Sequence, residues 1–231
     1  MSWSLTFSGW VVNASARDFD SLVSRSACLS ASEWTRVGRF HRHQDVTAFI
    51  ARRVFLREVL ATELGVSPQG LSLRLSSNGK PEFPDESSGL WFSQSSTSGL
   101  TVVALSREGE VGVDVENLER AVDHEGVARR WFRPHEISRI ELCGSDEARR
   151  LEFMRTWTAR EAAAKVTGEG MAFALSRHEL VIDPLRVVSL DEESPSWIET
   201  RIDPPHVISV AWSSPARPTN DSGETADRPG S

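Results

Sequence analysis

The sequence is poor in cysteine and lacks the long apolar runs of membrane proteins. Its two cysteines, Cys28 and Cys143, cannot build a disulfide framework. Met1 to Trp10 contain no basic segment followed by an apolar stretch, so we expect no secretory signal and a cytoplasmic protein. No stretch approaches the roughly 18 apolar residues of a membrane span, and no heptad or solenoid period is sustained. Membrane-spanning, fibrous and solenoid classes are therefore excluded.

An excess of positive charge is also missing. The chain has 26 Lys and Arg against 33 Asp and Glu, which gives a formal charge of -7. Bulk electrostatics does not draw such a chain to nucleic acid or to an anionic membrane, so neither is an expected partner. Any anionic ligand must instead meet a local cluster of basic side chains.

Signatures of several enzyme classes are absent. There is no Walker loop, no G-x-G-x-x-G and no G-x-S-x-G nucleophile elbow. His41 and His43 are close in sequence, but no Cys/His spacing fits a structural zinc site. The eight tryptophans of this acidic chain are more typical of a core than of base stacking.

What the sequence does contain is 231 residues with 39% hydrophobic side chains, enough for one large domain or two small ones. Helical periodicity predicts long helices over 46–64 and 145–167, each followed by a glycine. Short β-branched runs between turn residues predict strands at 71–75, 100–105, 112–116, 180–182 and 207–212. This alternation indicates an α/β or α+β fold. Residues 214–231 have almost no apolar side chains, so we predict a disordered tail.

The two long helices resemble each other. Aligning 33–65 on 136–168 without a gap gives seven identical pairs, among them glutamates, arginines and the final glycine. This number of identities is larger than ordinary composition predicts by chance. We therefore predict an internal duplication with an N-terminal lobe (1–105) and a C-terminal lobe (106–213), although chance similarity between two charged amphipathic helices is the alternative. The matched pairs are Glu33/Glu136, Arg36/Arg139, Arg52/Arg155, Arg57/Arg160, Glu58/Glu161, Ala61/Ala164 and Gly65/Gly168.

Acidic residues alternate with valines in the segment V-G-V-D-V-E. Because side chains alternate along a strand, Asp114 and Glu116 share one face and the valines share the other. Two such carboxylates repel each other unless they are solvated or joined by a cation. The simplest interpretation is a solvated strand face; Gly112, however, indicates close approach of a ligand or another backbone.

A second acidic group lies on the predicted helix, where Glu161 and Lys165 are four residues apart and share one face. A surface ion pair is one explanation. The alanines between them instead leave room for a bulky neighbour close to the helix. Together, Asp114, Glu116 and Glu161 offer three oxygen ligands for Mg²⁺, and Lys165 offers an ammonium for a phosphate.

Basic and hydroxyl-rich segments supply candidate phosphate contacts. The Asn-Gly dipeptide predicts a tight turn that aims Lys80 at a ligand, and the hydroxyl-rich segment 93–97 is interpreted as a loop before a strand. Each segment also has a purely structural explanation. The segments are 36–39, the helix face with Arg52, Arg53 and Arg57, the turn 77–81, and 93–97.

These pieces, in this order, resemble the Sfp-type 4′-phosphopantetheinyl transferases. Their G-K-P element is matched by Asn78-Gly79-Lys80-Pro81, and their F-N-x-S-H-S element by 92–97. Their G-[IV]-D-[IV]-E and W-[ST]-x-[KR]-E-A-x-x-K motifs are matched by 112–116 and 157–165. The length resembles that of the two-lobed, pseudo-dimeric members.

The resemblance implies a monomeric enzyme that transfers the phosphopantetheine arm of coenzyme A to a serine of an apo acyl or peptidyl carrier protein, releasing 3′,5′-ADP. It implies that Asp114, Glu116 and Glu161 hold Mg²⁺ and that Glu161 and Lys165 are catalytic. Coenzyme A would contact a further set of residues, together with Asp114 and Lys165. That set is Arg36, Arg53, Asn78, Gly79, Lys80, Ser95 and Ser96.

One position departs from the family pattern. Ser96 stands where the family has histidine, so we expect a coenzyme A site weakened by about one charged hydrogen bond, roughly 1.5–3 kcal/mol. Two alternatives remain open: a degenerate relative that binds coenzyme A or a carrier without turnover, and a metal-dependent nuclease. The nuclease interpretation requires an E-x-K on a strand, whereas Glu161 and Lys165 have helical spacing.

Overall fold

The computed structural model describes residues 2–7, 10–16, 19–76, 79–85, 88–98, 100–168, 178–182, 185–189 and 196–213. The predicted disordered tail, 214–231, and the candidate ligand residue Asn78 lie outside these residues. Within the described part, no helix has the length and apolar character needed to cross a membrane.

The N-terminal half is a four-stranded antiparallel sheet with a long helix packed on it. Its strand order is β1-β2-β6-β5. A short hairpin, β3–β4, follows the long helix α3, whose buried face contacts Leu22, Phe92 and Val103. The elements are β1 (Ser2–Phe7), β2 (Trp10–Ala16), α1 (Phe19–Ser24), α2 (Ala31–Val37), α3 (His43–Leu64), β3 (Arg74–Leu75), β4 (Pro81–Glu82), β5 (Trp91–Thr97) and β6 (Leu100–Ser106).

The C-terminal half has a five-stranded antiparallel sheet with the order β7-β11-β10-β9-β8. Its long helix, α6, packs on β7, β10 and β11 through small side chains such as Ala159, Ala162 and Ala163. The elements are β7 (Val111–Asn117), α4 (His124–Trp131), α5 (Pro134–Glu141), α6 (Asp146–Thr167), β8 (His178–Ile182), β9 (Leu185–Ser189), β10 (Ser196–Asp203) and β11 (His206–Ser213).

The two halves repeat one helix arrangement, in which a short helix precedes a helix of 22 residues. Both long helices end at a left-handed glycine, Gly65 (φ +67°) and Gly168 (φ +71°), a conformation that glycine adopts without strain. The mixed fold with two similar lobes is therefore confirmed.

A buried ion pair also recurs in the two halves. Glu33 Oε2 lies 2.8 Å from Arg57 Nε, and Glu136 Oε1 lies 2.7 Å from Arg160 Nη2. Each glutamate also accepts a backbone N–H at the start of its short helix, which satisfies a donor that the helix itself cannot. The glutamates and arginines matched in the sequence are therefore the partners of equivalent ion pairs.

An apolar layer joins the two sheets. The three valines of β7 are buried with Leu100, Val102 and Ala104 of β6 and with Ile208 and Val210 of β11. The opposite face of β7 carries Gly112, Asp114 and Glu116 and faces α6. The predicted alternation is confirmed, but the interpretation of a solvated face is wrong, because Asp114 is only 5% exposed.

The segment 93–97 is not a loop, as the sequence predicted, but most of strand β5. The strand was not predicted because serine is more frequent in solvated turns than in strands. The predicted strand at 71–75 is also shorter, with only Arg74–Leu75 paired, to Pro81–Glu82. The first long helix begins at His43, three residues before its predicted start.

Candidate active site

Strands β5 and β7 lie at the facing edges of the two sheets and are joined by hydroxyl groups. Val113 N donates to Ser93 Oγ at 3.1 Å, and Ser95 Oγ donates to Asp114 Oδ1 at 2.8 Å. Thr97 Oγ1 lies 3.4 Å from Glu116 Oε2. Since side chains on one strand face recur every second residue, this spacing brings three hydroxyls to the neighbouring edge. These hydroxyls form hydrogen bonds with the Val113 N–H at the edge of β7 and with the carboxylates of Asp114 and Glu116.

Gly112 allows α6 to lie directly on β7. A Cβ atom at this position would be 1.9 Å from Ala162 O and 2.9 Å from Val166 N. Both contacts are with helix backbone, so no side-chain rotation relieves them. The close approach predicted for this glycine is thus made by another backbone, and it places Glu161 and Lys165 beside the acidic face of β7.

The Lys165 ammonium is held by three acceptors of the protein. Its Nζ donates to Asp114 Oδ1 at 2.7 Å and to Ser95 Oγ and Val113 O at 3.0 Å each. An ammonium has three N–H donors, so all of them have acceptors here. The ion pair explains how Asp114 is buried beneath α6 without an uncompensated charge.

Glu161 lies one helical turn before Lys165 and completes the acidic group. Burial raises the pKa of Glu161, the negative charge of Asp114 raises it further, Lys165 lowers it and Glu116 raises it. The three predicted carboxylates therefore lie close enough to one another to interact electrostatically. Burial and like charges both disfavour a bare, fully ionised group of carboxylates.

The donor set fits a hard divalent cation. Asp114 Oδ2 is buried and has no hydrogen-bond partner among the residues that the structure describes, so it is an acceptor that a cation would satisfy. Glu116 Oε1 pairs with Arg120 Nη1 at 2.6 Å, at the rim of the site. In their present positions, no three His, Cys, Asp or Glu side chains of the described residues converge closely enough to hold a metal. The residue types and the unsatisfied Oδ2 nevertheless suit Mg²⁺.

Basic residues form a separate cleft of about 760 Å³ on the N-terminal half. Arg36 and Arg53 lie over the ring of Phe49, with guanidinium carbons 5.5 and 5.4 Å from its centroid. Arg53 is 7% exposed, and its Nε lies 4.0 Å from Glu33 Oε1. Arg36 is half-buried and lines the cleft with Arg39. Arg36 is thus the more accessible of the two arginines predicted to bind coenzyme A.

Arg52 is a further candidate for binding an anionic ligand, although the family resemblance does not assign it to coenzyme A. It is half-buried and lines a neighbouring cleft of about 820 Å³ with Ser96 and Glu116. Burial lowers the pKa of Arg52, Arg36 lowers it further, and Asp45 partly opposes this effect. Across the described part of the chain, no carboxylate oxygen lies within 4.0 Å of its guanidinium nitrogens. Its place on the basic helix face was the only sequence signal.

Ser95 and Ser96 point to opposite faces of β5. Ser95 contacts Asp114 and Lys165, whereas Ser96 Oγ lies 3.1 Å from Thr101 Oγ1 and faces the cleft with Arg52. Gln94, on the Ser96 face, donates from Nε2 to Arg52 O at 2.8 Å and fixes α3 against the strand. Of the two serines, Ser96 is therefore the one that lines the cleft with Arg52.

The predicted tight turn is present at Gly79, which has φ +77°. Lys80 follows it, but its Nζ donates to the backbone oxygen of Lys165 at 2.8 Å, on the C-terminal half. The turn therefore directs Lys80 to the end of α6, beside the acidic group.

Comparisons with known proteins match both halves of the chain. Residues 110–211 match the family model described as the 4′-phosphopantetheinyl transferase superfamily, and residues 13–108 match the N-terminal model of 4′-phosphopantetheinyl transferase. The 4′-phosphopantetheinyl transferase HetI of Nostoc sp. is 34% identical over 178 residues, which cover 76% of this chain and 74% of HetI.

Two further relatives illustrate the range of similarity. The Synechocystis sp. protein slr0495 is 35% identical over 152 residues, covering 65% of this chain and 61% of that protein. The Homo sapiens L-aminoadipate-semialdehyde dehydrogenase-phosphopantetheinyl transferase is 27% identical over 212 residues, covering 81% of this chain and 68% of that protein.

Proposed function

Since this chain belongs to the 4′-phosphopantetheinyl transferase superfamily, a family of transferases, we propose that it moves the phosphopantetheine arm of coenzyme A to a serine hydroxyl of an apo carrier protein. The released product is 3′,5′-ADP. The observation that carries this proposal is the acidic group of Asp114, Glu116 and Glu161, which is paired with Lys165 and lies near the clefts lined by Arg36 and Arg52. We assign the two arginines to an N-terminal lobe, residues 1–105, and the acidic group to a C-terminal lobe, residues 106–213.

The two clefts lined by Arg36 and by Arg52 supply the contacts for the phosphates of coenzyme A. Arg36 and Arg52 are half-buried, and the positive charge of Arg36 lowers the pKa of Arg52. The two guanidinium groups therefore repel each other at a place from which water is partly excluded. Anionic oxygens relieve that repulsion and replace the lost hydration with charge-assisted hydrogen bonds. Ser96 offers one more donor in the cleft that Arg52 lines, and the almost fully buried Arg53 contributes positive charge to the cleft that Arg36 lines.

The acidic group is the place for Mg²⁺. Asp114 Oδ2, Glu116 and Glu161 are the residues that would hold it. When bound, the ion neutralises negative charge on the diphosphate of coenzyme A.

Glu161 is placed to accept the proton of the carrier serine. Its half-buried carboxylate lies beside Asp114 and one helical turn from Lys165, so it is the group that we assign as the proton acceptor. The serine oxygen forms a bond to the phosphorus that carries the pantetheine arm, and the bond from that phosphorus to 3′,5′-ADP breaks. The serine proton goes to Glu161, and the electron pair of the broken bond leaves with 3′,5′-ADP.

Lys165 orients Asp114 through its 2.7 Å ion pair and keeps a positive charge beside the reacting phosphates. Because phosphoryl transfer depends mainly on positioning and electrostatic stabilisation, an ammonium fixed by three acceptors is preorganised for this task. Ser95 holds both partners of the ion pair, so we assign it to the acidic group as well.

The test is transfer to an apo carrier domain in the presence of coenzyme A and Mg²⁺, followed by mass spectrometry. The carrier should gain the mass of the arm, and Asp114→Asn and Glu161→Gln should abolish the gain while preserving side-chain shape. Glu125→Gln is the matched control, because Glu125 is exposed on α4 and lines neither the cleft of Arg36 nor that of Arg52. Full transfer by either site variant would contradict the acidic assignment.

The cleft has its own test in steady-state kinetics with coenzyme A. Arg52→Gln should raise the KM about tenfold or more, the effect of losing a hydrogen bond to a charged group. Arg107→Gln, which removes an exposed arginine paired with Glu63, should leave it unchanged. Binding of coenzyme A by calorimetry without modification of any apo acyl or peptidyl carrier would instead identify a binding protein without turnover.

A further inference from the structure

Lys80 is one of only two lysines in the chain, in which arginine is far more frequent. The second is Lys165, and the structure brings the two together: the Lys80 ammonium donates to the Lys165 backbone oxygen at 2.8 Å. The contact joins residues far apart in sequence and links the β3–β4 turn to α6. Lysine suits this position, because a compact ammonium binds a single carbonyl more readily than a planar guanidinium does.

The acceptor lies in the last turn of α6, which ends at Thr167. Carbonyls in a final helical turn have no intrahelical donor, and the C-terminal end of a helix carries partial negative charge. Gly168 N binds the Ala164 oxygen at 3.1 Å, and Lys80 binds the next carbonyl along the chain. Lys80 is therefore a cap for α6 supplied by the other half of the protein.

The turn that carries Lys80 is itself held in place. Ser76 N donates to Lys80 O at 2.8 Å, Lys80 N donates to Ser76 Oγ at 3.1 Å, and Gly79 N donates to Ser76 O at 2.9 Å. With its backbone fixed by both donor and acceptor, Lys80 presents its side chain from a defined point.

The surroundings of the Lys80 ammonium are those of a structural contact. It is half-buried, and burial lowers its pKa, while Glu110 and Glu82 partly restore it and Lys165 opposes them. A desolvated ammonium is costly unless its donors are satisfied, and the Lys165 carbonyl satisfies one of them. The cleft that Lys80 lines contains the carboxylates of Glu82, Asp85 and Glu110 as well as the guanidinium of Arg74.

We propose that Lys80 is a positioning residue that locks the end of α6 to the N-terminal half, and that it is not a ligand of coenzyme A. The lock sets the distance between the basic cleft, which grips coenzyme A, and Glu161 and Lys165, which act on it. Gly112 fixes α6 against its own sheet, and Lys80 fixes it against the other half. This inference rests on the proposed function and adds a role that acts through the backbone of Lys165.

Two variants separate positioning from phosphate binding. In Lys80→Met and Lys80→Arg, kcat should fall about 10-fold to 100-fold, since misplacement by about 1 Å has effects of this size, while the KM for coenzyme A stays within about twofold. A phosphate ligand gives the opposite pattern. Lys80→Met would then raise the KM and the Kd of 3′,5′-ADP at least tenfold, and Lys80→Arg would retain both, because arginine binds phosphate well. That pattern, or an unchanged kcat in both variants, overturns the inference.

Hydrogen exchange provides a readout that does not depend on transfer. Both variants should accelerate exchange of the amides at 163–168 and leave the first turns of α6 as in the unmodified chain; unchanged exchange at 163–168 overturns the lock. Arg107→Met is the matched control for loss of one positive charge at an exposed site. If the unmodified chain transfers nothing to any carrier, the proposed function fails, and exchange at the end of α6 still decides whether the lock exists.

Discussion

Replacing Gly112 by alanine adds one methyl group at the point where α6 contacts β7. That methyl carbon would lie 1.9 Å from Ala162 O and 2.9 Å from Val166 N. Carbon and oxygen in contact are normally about 3.3 Å apart, so the helix backbone must withdraw from the strand by roughly 1.4 Å. The substitution therefore tests how tightly the α6–β7 contact is specified.

The expected loss of stability follows from the atoms involved. Overpacking a core costs about 1–3 kcal/mol when side chains can adjust. Here both obstructing atoms belong to helix backbone, and Ala162, Ala163 and Val166 are almost fully buried around them. We expect Gly112→Ala to lose about 3 kcal/mol of unfolding free energy, the upper end of that range.

The same shift should reduce activity, because α6 carries Glu161 and Lys165 while Asp114 lies on the strand. A displacement of about 1 Å at reacting groups lowers rates on the order of 100-fold. We expect kcat to fall by about this factor under conditions in which the variant remains folded.

The assays are urea unfolding for stability and carrier modification at saturating coenzyme A for kcat. Gly144→Ala is the matched control: apart from its chain neighbours, no atom of the described residues lies within 4 Å of its added methyl group, and its backbone is outside the positive-φ region. It should be neutral or slightly stabilising, since alanine restricts the unfolded chain. If Gly112→Ala matches Gly144→Ala in stability and in kcat, the packing argument is wrong.

Three further predictions concern the ion pair, the cleft and the metal. Glu136→Gln leaves the buried Arg160 without its carboxylate and should cost about 3–5 kcal/mol in urea unfolding, whereas Glu58→Gln at the more exposed pair with Arg25 should cost under about 1 kcal/mol; equal costs would contradict this. Ser96→His should lower the KM for coenzyme A about tenfold, and an unchanged or higher KM would argue against a missing imidazole contact. Chelation with EDTA should abolish carrier modification and added Mg²⁺ should restore it; modification that persists in EDTA would refute the assigned role of the carboxylates.

Much of the helical fold was predictable from local pattern. The apolar periodicity of α3 and α6 and their terminal glycines defined both helices to within a few residues. Strand β5 was missed because its alternate residues are hydroxyls that contact the neighbouring edge strand, not apolar side chains in a core. Period-two patterning detects hydrophobic alternation, and it gives no signal when one face of a strand is satisfied by hydrogen bonds.

The candidate site was predictable in its residue types but not in its burial. The sequence predicted both Asp114 and Lys165 as site residues. Their ion pair, however, joins two elements far apart in sequence, so only the tertiary structure shows that Asp114 is buried beneath α6. The roles of Ser95 and Ser96 depended on recognising β5 as a strand, since adjacent residues then point to opposite faces. Arg52 and Arg53 are likewise adjacent on a helix and carry the same charge. The sequence therefore did not show that Arg52 is half-buried whereas Arg53 is almost fully buried.

The repeated helix pair also shows how a duplicated fold can present its positive charge unequally. In the first repeat, Arg36 and Arg53 lie over the uncharged ring of Phe49, and no carboxylate of the described residues pairs with Arg36. In the second repeat, Glu152 holds the place of Phe49 and pairs with Arg139, whose Nε lies 3.0 Å from Glu152 Oε1. The positive charge of Arg36 is therefore available to an anionic ligand, while the equivalent Arg139 is neutralised within the fold. The acidic Glu152 in place of Phe49, together with Leu142 and Thr156 in place of Arg39 and Arg53, accounts for a basic cleft on only one of these two helix pairs.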